Sequence, residues 1–274
     1  MLEQLRTYME KQNLDGFFVQ NHENVRYISG YTSDDAYLLI TRGRQFLITD
    51  PRYTEHAQAE CPDYTILNWR GAAPNVGEYA AQLAEQEGLK AVGFEKDLLT
   101  VKFHEALCTA PHTEWIGTEG VIEEFRSVKT PEEIEKLKVA CDIASRAFER
   151  IIKDIRVGVT EKELASRLSH YMVMEGSDTK PYGNILISGA RTSLLHGIPS
   201  SKAVEYGDFV LMDYGCQYKG YLSDMTRTVV VGKASAKQRE VYELEQKMVA
   251  ACEDQMKAGN SGRMVYEAST AVIQ

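Results

Sequence analysis

Two aspartates in the second half of the chain, Asp213 and Asp224, have a spacing that could build a metal site. Strand-forming residues lie beside them at 209–212 and 227–231. A two-residue loop at 218–219 would set Asp213 directly opposite Asp224, with their Cβ atoms about 4.5–5.5 Å apart. Two carboxylates this close on a buried sheet face repel each other, so a divalent cation is expected between them. Oxygen ligands favour manganese, magnesium or calcium.

The same spacing also fits a purely structural alternative. Asp213 precedes a glycine and could open a turn, and Asp224 could cap a strand bulge, with both side chains solvated. The spacing of the two aspartates does not by itself separate these interpretations.

Length, composition and charge indicate an ordinary globular protein. A chain of 274 residues exceeds what one hydrophobic core usually serves, so two domains are expected. Hydrophobic residues make up 43% and charged residues 26%, which is typical of globular proteins. The formal net charge of −9 argues against binding to nucleic acids or anionic membranes. Small molecules or peptides are the expected partners.

The cysteines and the first residues bear on the cellular compartment. Five cysteines stand at wide spacing without a paired motif, which predicts reduced, mostly buried thiols. Leu2, Leu5 and Met9 form a helical stripe with charges between them, unlike a secretory signal. No apolar run approaches the length needed to span a membrane, so a cytoplasmic protein without a membrane contact is predicted.

In the first part of the chain, short strand-like runs alternate with helical patterns. The predicted strands are 16–19, 36–41, 45–49, 64–69, 91–94 and 113–116, and the predicted helices are 53–60, 76–87 and 101–108. This alternation predicts an α/β domain with a mixed sheet.

The alternation ends at 117–130, and we place the domain boundary there, dividing the chain into residues 1–122 and 123–274. Thr130 and Pro131 then open a long helix. Its helically spaced apolar stripe, which should face a sheet, comprises Ile134, Leu137, Cys141, Ala144, Phe148 and Ile151.

The rest of the second domain is predicted to be α+β. Thr160 with Glu163 and Ser235 with Gln238 have capping-box spacing, which predicts helices at about 161–175 and 236–258. The predicted strands of this domain are 185–188, 209–213 and 222–231.

Several motifs around the aspartates resemble a known family. They are Pro181-Tyr182-Gly183-Asn184, Leu195-His196-Gly197-Ile198-Pro199 and Asp224-Met225-Thr226-Arg227-Thr228, together with segments 24–31 and 124–134 nearer the amino terminus. In these segments, which span nearly the whole chain, the sequence resembles the metallopeptidases of the pita-bread fold, and more narrowly aminopeptidase P and Xaa-Pro dipeptidase (prolidase).

This resemblance implies a fold and a set of site residues. The expected fold is an amino-terminal creatinase-like α/β domain followed by a pita-bread α+β domain that is incomplete at its carboxyl end. Asp213 and Asp224 would be metal ligands. His196, seventeen residues before Asp213, would be a catalytic residue that contacts the substrate, and Tyr182 would line the substrate pocket.

The resemblance also implies an activity, cofactors and partners. The expected reaction is metal-dependent hydrolysis of the peptide bond preceding proline, by a dipeptidase or an aminopeptidase. Two divalent ions would take part, with manganese favoured over cobalt or zinc, and the protein would be a homodimer acting on proline-containing peptides. The family completes its site with a histidine and two glutamates, but no histidine follows His196. We therefore expect a truncated form that is metal-poor and weakly active or inactive.

Three alternatives stay open at this point. A metal-free C–N hydrolase such as creatinase shares both domains, although the two aspartates argue against it. Methionine aminopeptidase shares only the second domain. A non-catalytic pita-bread module that binds peptides or proteins would explain the unmatched ligands.

Overall fold

The computed structural model of the protein describes residues 1–178 and 183–273. It divides into two compact units, Met1–Thr130 and Pro131–Gln274. The boundary predicted after residue 122 falls inside a short helix, Val121–Ser127, which belongs to the first unit.

The first unit contains a mixed sheet and six α-helices among its described residues. The helices are α1 (Leu2–Lys11), α2 (His22–Ser29), α3 (Thr54–Glu60), α4 (Val76–Gln86), α5 (Val101–Leu107) and α6 (Val121–Ser127). The strands are β1 (Gly16–Val19), β2 (Ala36–Thr41), β3 (Gln45–Thr49), β4 (Thr65–Asn68), β5 (Ala91–Glu95) and β6 (Glu114–Thr118). They lie in the order β4-β3-β2-β1-β5-β6.

Successive side chains of each strand point to opposite faces of this sheet, and each face packs against its own group of helices. Phe17 belongs to the core that contains residues of α1, α2, α3 and α6, whereas its neighbour Phe18 belongs to the core that contains residues of α4 and α5. Leu38 and Leu39 divide between the two cores in the same way. The predicted α/β fold with a mixed sheet is confirmed.

Two helices of this unit are not predicted by the sequence patterns. Helix α2 begins after Asn21, whose side chain accepts hydrogen bonds from the Glu23 and Asn24 amides, and it ends at Gly30 in a left-handed conformation. Helix α6 lies within residues 117–130, where the sequence predicts the domain boundary. Both helices have eight residues or fewer, which is too short for a clear apolar period.

The second unit combines α-helices with a small antiparallel sheet. Its helices are α7 (Pro131–Ile151), α8 (Glu161–Met174), α9 (Ala236–Gln255) and α10 (Gly262–Ala271). Its strands are β7 (Ile185–Ser188), β8 (Phe209–Tyr214), β9 (Gln217–Tyr218), β10 (Tyr221–Leu222) and β11 (Met225–Val230). The three-stranded sheet has the order β11-β8-β7, and β9 pairs with β10 beyond its end.

Helices α7 and α8 share one core with this sheet, but α7 buries a different stripe from the predicted one. Its buried residues are Glu133, Ala140, Ile143, Ala144, Ala147 and Ile151. Cys141 is exposed and Ile134 is 43% exposed, so the prediction was wrong for these two residues. Both stripes have helical spacing, and the small alanine side chains let the helix approach its neighbours closely, which periodicity alone does not show.

The helix predicted over 236–258 ends at Gln255, and a second helix follows. Gly259 has a φ of 92°, and the Ser261 side chain accepts a hydrogen bond from the Met264 amide at the start of α10. The capping boxes predicted at Thr160 and Ser235 are both present.

The five cysteines are free, but the prediction that most are buried was wrong. Cys61 and Cys216 are buried, Cys108 and Cys141 are exposed, and Cys252 is intermediate. Across the described part of the chain, no helix is both long enough and apolar enough to cross a membrane.

Candidate functional site

The β8–β11 hairpin carries both aspartates, but its register differs from the predicted one. The turn residues are Lys219 and Gly220, with φ values of 49° and 84°, and Tyr218 pairs with Tyr221. Positive φ at both central residues suits the right-handed twist of a two-residue hairpin. Because the turn lies one residue later than predicted, Asp213 pairs with Thr226 and not with Asp224.

This register leaves the two aspartates on one face but not opposite each other. Asp224 precedes Thr226 by two residues, so in a regular strand it lies diagonally from Asp213, with Cα atoms about 7–8 Å apart. Asp213 is half-buried and Asp224 is exposed. The prediction that the two aspartates are directly paired on a buried face was therefore wrong in both pairing and burial.

Thr226 is a site residue that our sequence analysis missed. Its hydroxyl Oγ1 donates a hydrogen bond to Asp213 Oδ1 at 3.0 Å. On the other side of Asp213, the paired residue is Ile185 of β7. A prediction with the turn at Lys219 and Gly220 would have paired Thr226 with Asp213, and directly paired residues share a face of the sheet.

The aspartates lie on the sheet face that points away from α7 and α8. Val210, Met212 and Tyr214 alternate with Asp213 along β8 and belong to the core shared with those helices. The Tyr214 hydroxyl donates to the Ala144 carbonyl oxygen of α7 at 3.3 Å, and burial raises the pKa of Tyr214. Asp213 must therefore point to the opposite face, which is less covered.

His196 is exposed and lies in the loop after the 3-10 turn Gly189–Ser193. The next residue, Gly197, is so close to β7 that a Cβ there would be 3.0 Å from Ile187 Cγ2. Ile187 pairs with Leu211 and shares the face of Asp213. The loop that carries His196 thus packs on the same face as the aspartates.

A buried carboxylate lies at the start of α8, close to both ends of this loop. Glu161 is 0% exposed, and its oxygens accept hydrogen bonds from Ser188, Arg191 and Ser200. Burial alone would raise the pKa of Glu161, but the hydrogen bonds from Ser200 and Ser188 outweigh burial and lower it. The carboxylate is therefore ionised at neutral pH.

The fourth predicted site residue, Tyr182, lies outside the described residues. Its place in the substrate pocket stays a prediction.

A cleft of about 300 Å³ lies on the sheet face that carries Asp213, between the sheet and α9. Phe209, Thr228 and Val230 line it from the sheet, and Gln238 and Tyr242 line it from α9. Phe209 precedes Asp213 by four residues on the same strand face, a separation of about 13 Å along the strand. The cleft is therefore beside the aspartates and does not contain them.

The described carboxylates are of the chemical type that binds a divalent metal, but there are too few of them to form a complete site. Asp213 and Asp224 provide the oxygen ligands that manganese or magnesium prefers. Within residues 1–178 and 183–273, however, no group of three or more His, Cys, Asp or Glu side chains is arranged to hold a metal ion. Tight binding needs more ligands than these two, so the ions expected from the resemblance do not fit the described residues as a closed site.

Family comparisons agree with this architecture. Residues 1–128 match the Creatinase/Prolidase N-terminal domain, and residues 135–274 match metallopeptidase family M24. The chain is 32% identical over 238 residues to the Xaa-Pro dipeptidase of Pyrococcus horikoshii, covering 86% of this chain and 66% of that protein. It thus spans slightly less than two thirds of that relative's length.

Solved structures give the same result. The Xaa-Pro dipeptidase from Bacillus anthracis matches with a TM-score of 0.92 and 36% identity, over 99% of this chain and 76% of that one. The X-Pro aminopeptidase from Thermotoga maritima matches with a TM-score of 0.91 and 30% identity, over 100% and 77%. The chain belongs to metallopeptidase family M24, with an amino-terminal creatinase/prolidase domain, and among hydrolases it is of the Xaa-Pro peptidase type.

Proposed function

We propose that this protein is an Xaa-Pro peptidase, which catalyses the metal-dependent hydrolysis of the peptide bond preceding proline, and that its activity is weak because the described residues supply only two carboxylate ligands. The observation that supports it most is that the loop of His196 packs against Ile187, which shares the sheet face of Asp213. This face occurs in a fold that superimposes on an Xaa-Pro dipeptidase with a TM-score of 0.92.

The proposal gives each site residue a role. Asp213 and Asp224 are two of the ligands of the divalent ions, with manganese favoured, and Thr226 orients the Asp213 carboxylate through its hydrogen bond. His196 is exposed, so its imidazole is free to donate a hydrogen bond to a substrate carbonyl oxygen. Tyr182 belongs to the substrate pocket in this proposal. Proline-containing peptides are the substrates.

The test is hydrolysis of Ala-Pro and of an Xaa-Pro-Xaa tripeptide with added manganese. Cleavage of the dipeptide alone indicates a dipeptidase, and release of the first residue from the tripeptide indicates an aminopeptidase. Asp213→Asn and Asp224→Asn should each abolish the activity. Asp142→Asn is the matched control, because Asp142 is an exposed aspartate on α7 of the same unit.

Manganese binding provides a second readout that does not depend on turnover. With two carboxylates as the described donors, we expect weak manganese binding that is lost in Asp213→Asn and kept in Asp142→Asn. Equal manganese binding by the unmodified protein, Asp213→Asn and Asp142→Asn would contradict the proposed ligand role of Asp213.

A non-catalytic peptide-binding module is the second candidate, and the small described donor set favours it. Binding of Ala-Pro without hydrolysis at any manganese concentration would support this candidate over the peptidase. Hydrolysis that is unaffected by a metal chelator would instead support a metal-free C–N hydrolase mechanism, against which the two aspartates argue.

Oligomeric state and location belong to the same proposal. The family resemblance favours a homodimer, which light scattering on the purified protein would test. A cytoplasmic location is likewise proposed, and fractionation of cells that produce the protein would test it.

A further inference from the structure

The segment from Ser188 to Ser200 leaves the end of β7, carries His196 and returns towards α8. Most of it has no regular secondary structure, so the backbone ladder of the sheet does not hold it. An exposed loop of this kind is normally among the more mobile parts of a protein. A side chain that must meet a substrate at a fixed position needs a more rigid support than such a loop provides.

Glu161 supplies contacts at both ends of the segment. At the first end, Oε1 accepts a hydrogen bond from the Ser188 amide at 2.7 Å and from the Ser188 hydroxyl at 3.1 Å. At the other end, Oε2 accepts one from the Ser200 amide at 2.9 Å and from the Ser200 hydroxyl at 2.7 Å. One carboxylate thus joins two positions that are twelve residues apart in sequence.

Arg191 extends this connection into the middle of the loop. Its Nε lies 3.2 Å from Oε1 and 3.1 Å from Oε2 of Glu161, and its Nη2 donates to the Ile198 carbonyl oxygen at 2.8 Å. Ile198 is two residues after His196. The positive charge of Arg191 also neutralises the buried carboxylate, which would otherwise be costly.

The position of Glu161 is itself fixed by backbone contacts. Its amide donates to the Lys202 carbonyl oxygen at 3.0 Å, and the Lys162 amide donates to the Ser200 carbonyl oxygen at 3.1 Å. Glu161 is also the first residue of α8, whose core residues Leu164 and Leu168 are fully buried. The carboxylate is thus attached to a rigid helix.

We infer that Glu161 is a positioning residue for His196: its buried carboxylate fastens both ends of the 188–200 loop, so that the imidazole is held over the aspartate-bearing face. The role for His196 rests on the proposed function, whereas the fastening of the loop stands on the contacts alone.

Hydrogen exchange measures the fastening directly. In Glu161→Gln, one oxygen becomes an amide group that cannot accept from the Ser and Arg donors, and amides of 189–198 should exchange about tenfold faster or more. Glu163→Gln is the matched control on the same helical turn, since Glu163 is exposed and its glutamine can still complete the capping box with Thr160. Unchanged amide exchange of residues 189–198 in folded Glu161→Gln would overturn the inference.

A second variant covers the case in which Glu161→Gln does not fold. Arg191→Gln keeps the carboxylate with its serine donors and removes the guanidinium that connects Glu161 to Ile198. The loop amides should then exchange several-fold faster while those of α8 are unchanged. Equal protection of the loop in this variant would contradict the inference.

The positioning role is separated from general stability by a double-mutant cycle on Xaa-Pro hydrolysis. If Glu161 acts through His196, then Glu161→Gln should lower kcat/KM in the parent but have little further effect in His196→Ala. Glu161→Asp, which keeps the charge, should restore part of the loss. Fully additive effects would overturn the positioning role. Absence of hydrolysis in the parent would count against the proposed function, while hydrogen exchange would still decide whether Glu161 fastens the loop.

Discussion

At the scale of single residues, the second unit contains a buried charge that is fully supplied with hydrogen-bond donors. Glu161 is completely buried, yet its pKa is lowered, since the serine and arginine donors stabilise the ionised form more than burial opposes it. Removing one member of such a group leaves the others unpaired in the interior, which makes the pair Glu161 and Arg191 important for stability as well as for the loop.

The pH dependence of unfolding follows from the direction of this shift. A carboxyl whose folded-state pKa lies below its unfolded value of 4.5 contributes stability above about pH 4.5, and that stability is lost as the pH falls through the folded pKa. Glu161→Gln should cost about 2–4 kcal/mol at pH 7, and the difference from the parent should shrink below pH 4. Urea unfolding at several pH values measures this. A constant difference down to pH 3 would contradict it.

The cysteines offer a second residue-scale prediction. Burial raises the pKa of Cys61 and of Cys216, whereas Cys108 and Cys141 are exposed. Since the thiolate is the reactive form, iodoacetamide should label the exposed pair at least about tenfold faster than the buried pair in the folded protein. Mass spectrometry of labelled peptides over time checks this. In urea, the four rates should converge, and equal rates before unfolding would contradict the burial seen in the structure.

At the scale of elements, the packing of α7 depends on small residues that a hydrophobic pattern undervalues. Ala140, Ala144 and Ala147 are each fully buried, and Cys216 Sγ donates to the Ala140 carbonyl oxygen at 2.9 Å. A larger side chain at these positions would have to displace the neighbouring strand or helix. Exposed positions on the same helix do not have this constraint.

Substitutions at two adjacent positions of α7 test the observed stripe. Ala140→Leu should destabilise the second unit by about 1–3 kcal/mol, because the added atoms have no space. Cys141→Leu is the matched control and should change stability by less than about 0.5 kcal/mol, because this position is exposed. Urea unfolding followed by circular dichroism gives both values. A larger loss of stability in Cys141→Leu than in Ala140→Leu would favour the stripe predicted from sequence.

At the scale of the whole molecule, no hydrophobic core is shared between the two units in the described part of the chain. Helix α6 contributes Val121 and Ile122 to a core of the first unit. Arg126 Nη1 donates to Asn24 Oδ1 at 2.8 Å, and the Tyr27 hydroxyl donates to the Phe125 carbonyl oxygen at 3.2 Å. Both contacts join α6 to α2. The α6 residues of both contacts, Phe125 and Arg126, follow residue 122, after which the sequence predicts the domain boundary.

Two fragments test where the first unit ends. Residues 1–130 should fold alone and unfold cooperatively in urea, because cores on both sides of the sheet lie within this range. Residues 1–122 lack Phe125 and Arg126, and they should be less stable by about 1–3 kcal/mol through the lost contacts to Asn24 and Tyr27. Equal stability of both fragments would favour the earlier boundary.

Local signals in the sequence determined much of the secondary structure. The strands Ala36–Thr41 and Gln45–Thr49 and the starts of α4, α5, α7 and α8 agree with the predictions, because alternation and capping depend on neighbours in the chain. The motifs around His196, Asp213 and Asp224 likewise pointed to the family that the comparisons identify.

Only the tertiary structure decided how the site is arranged. The hairpin register depended on positive φ at Lys219 and Gly220, and a shift of the turn by one residue separated Asp213 from Asp224 and paired it with Thr226. The side-chain hydrogen bonds of Glu161 join residues up to 39 positions apart, which no local pattern encodes. Spacing along the chain therefore identified the chemical groups, whereas backbone dihedral angles and packing determined which of them meet.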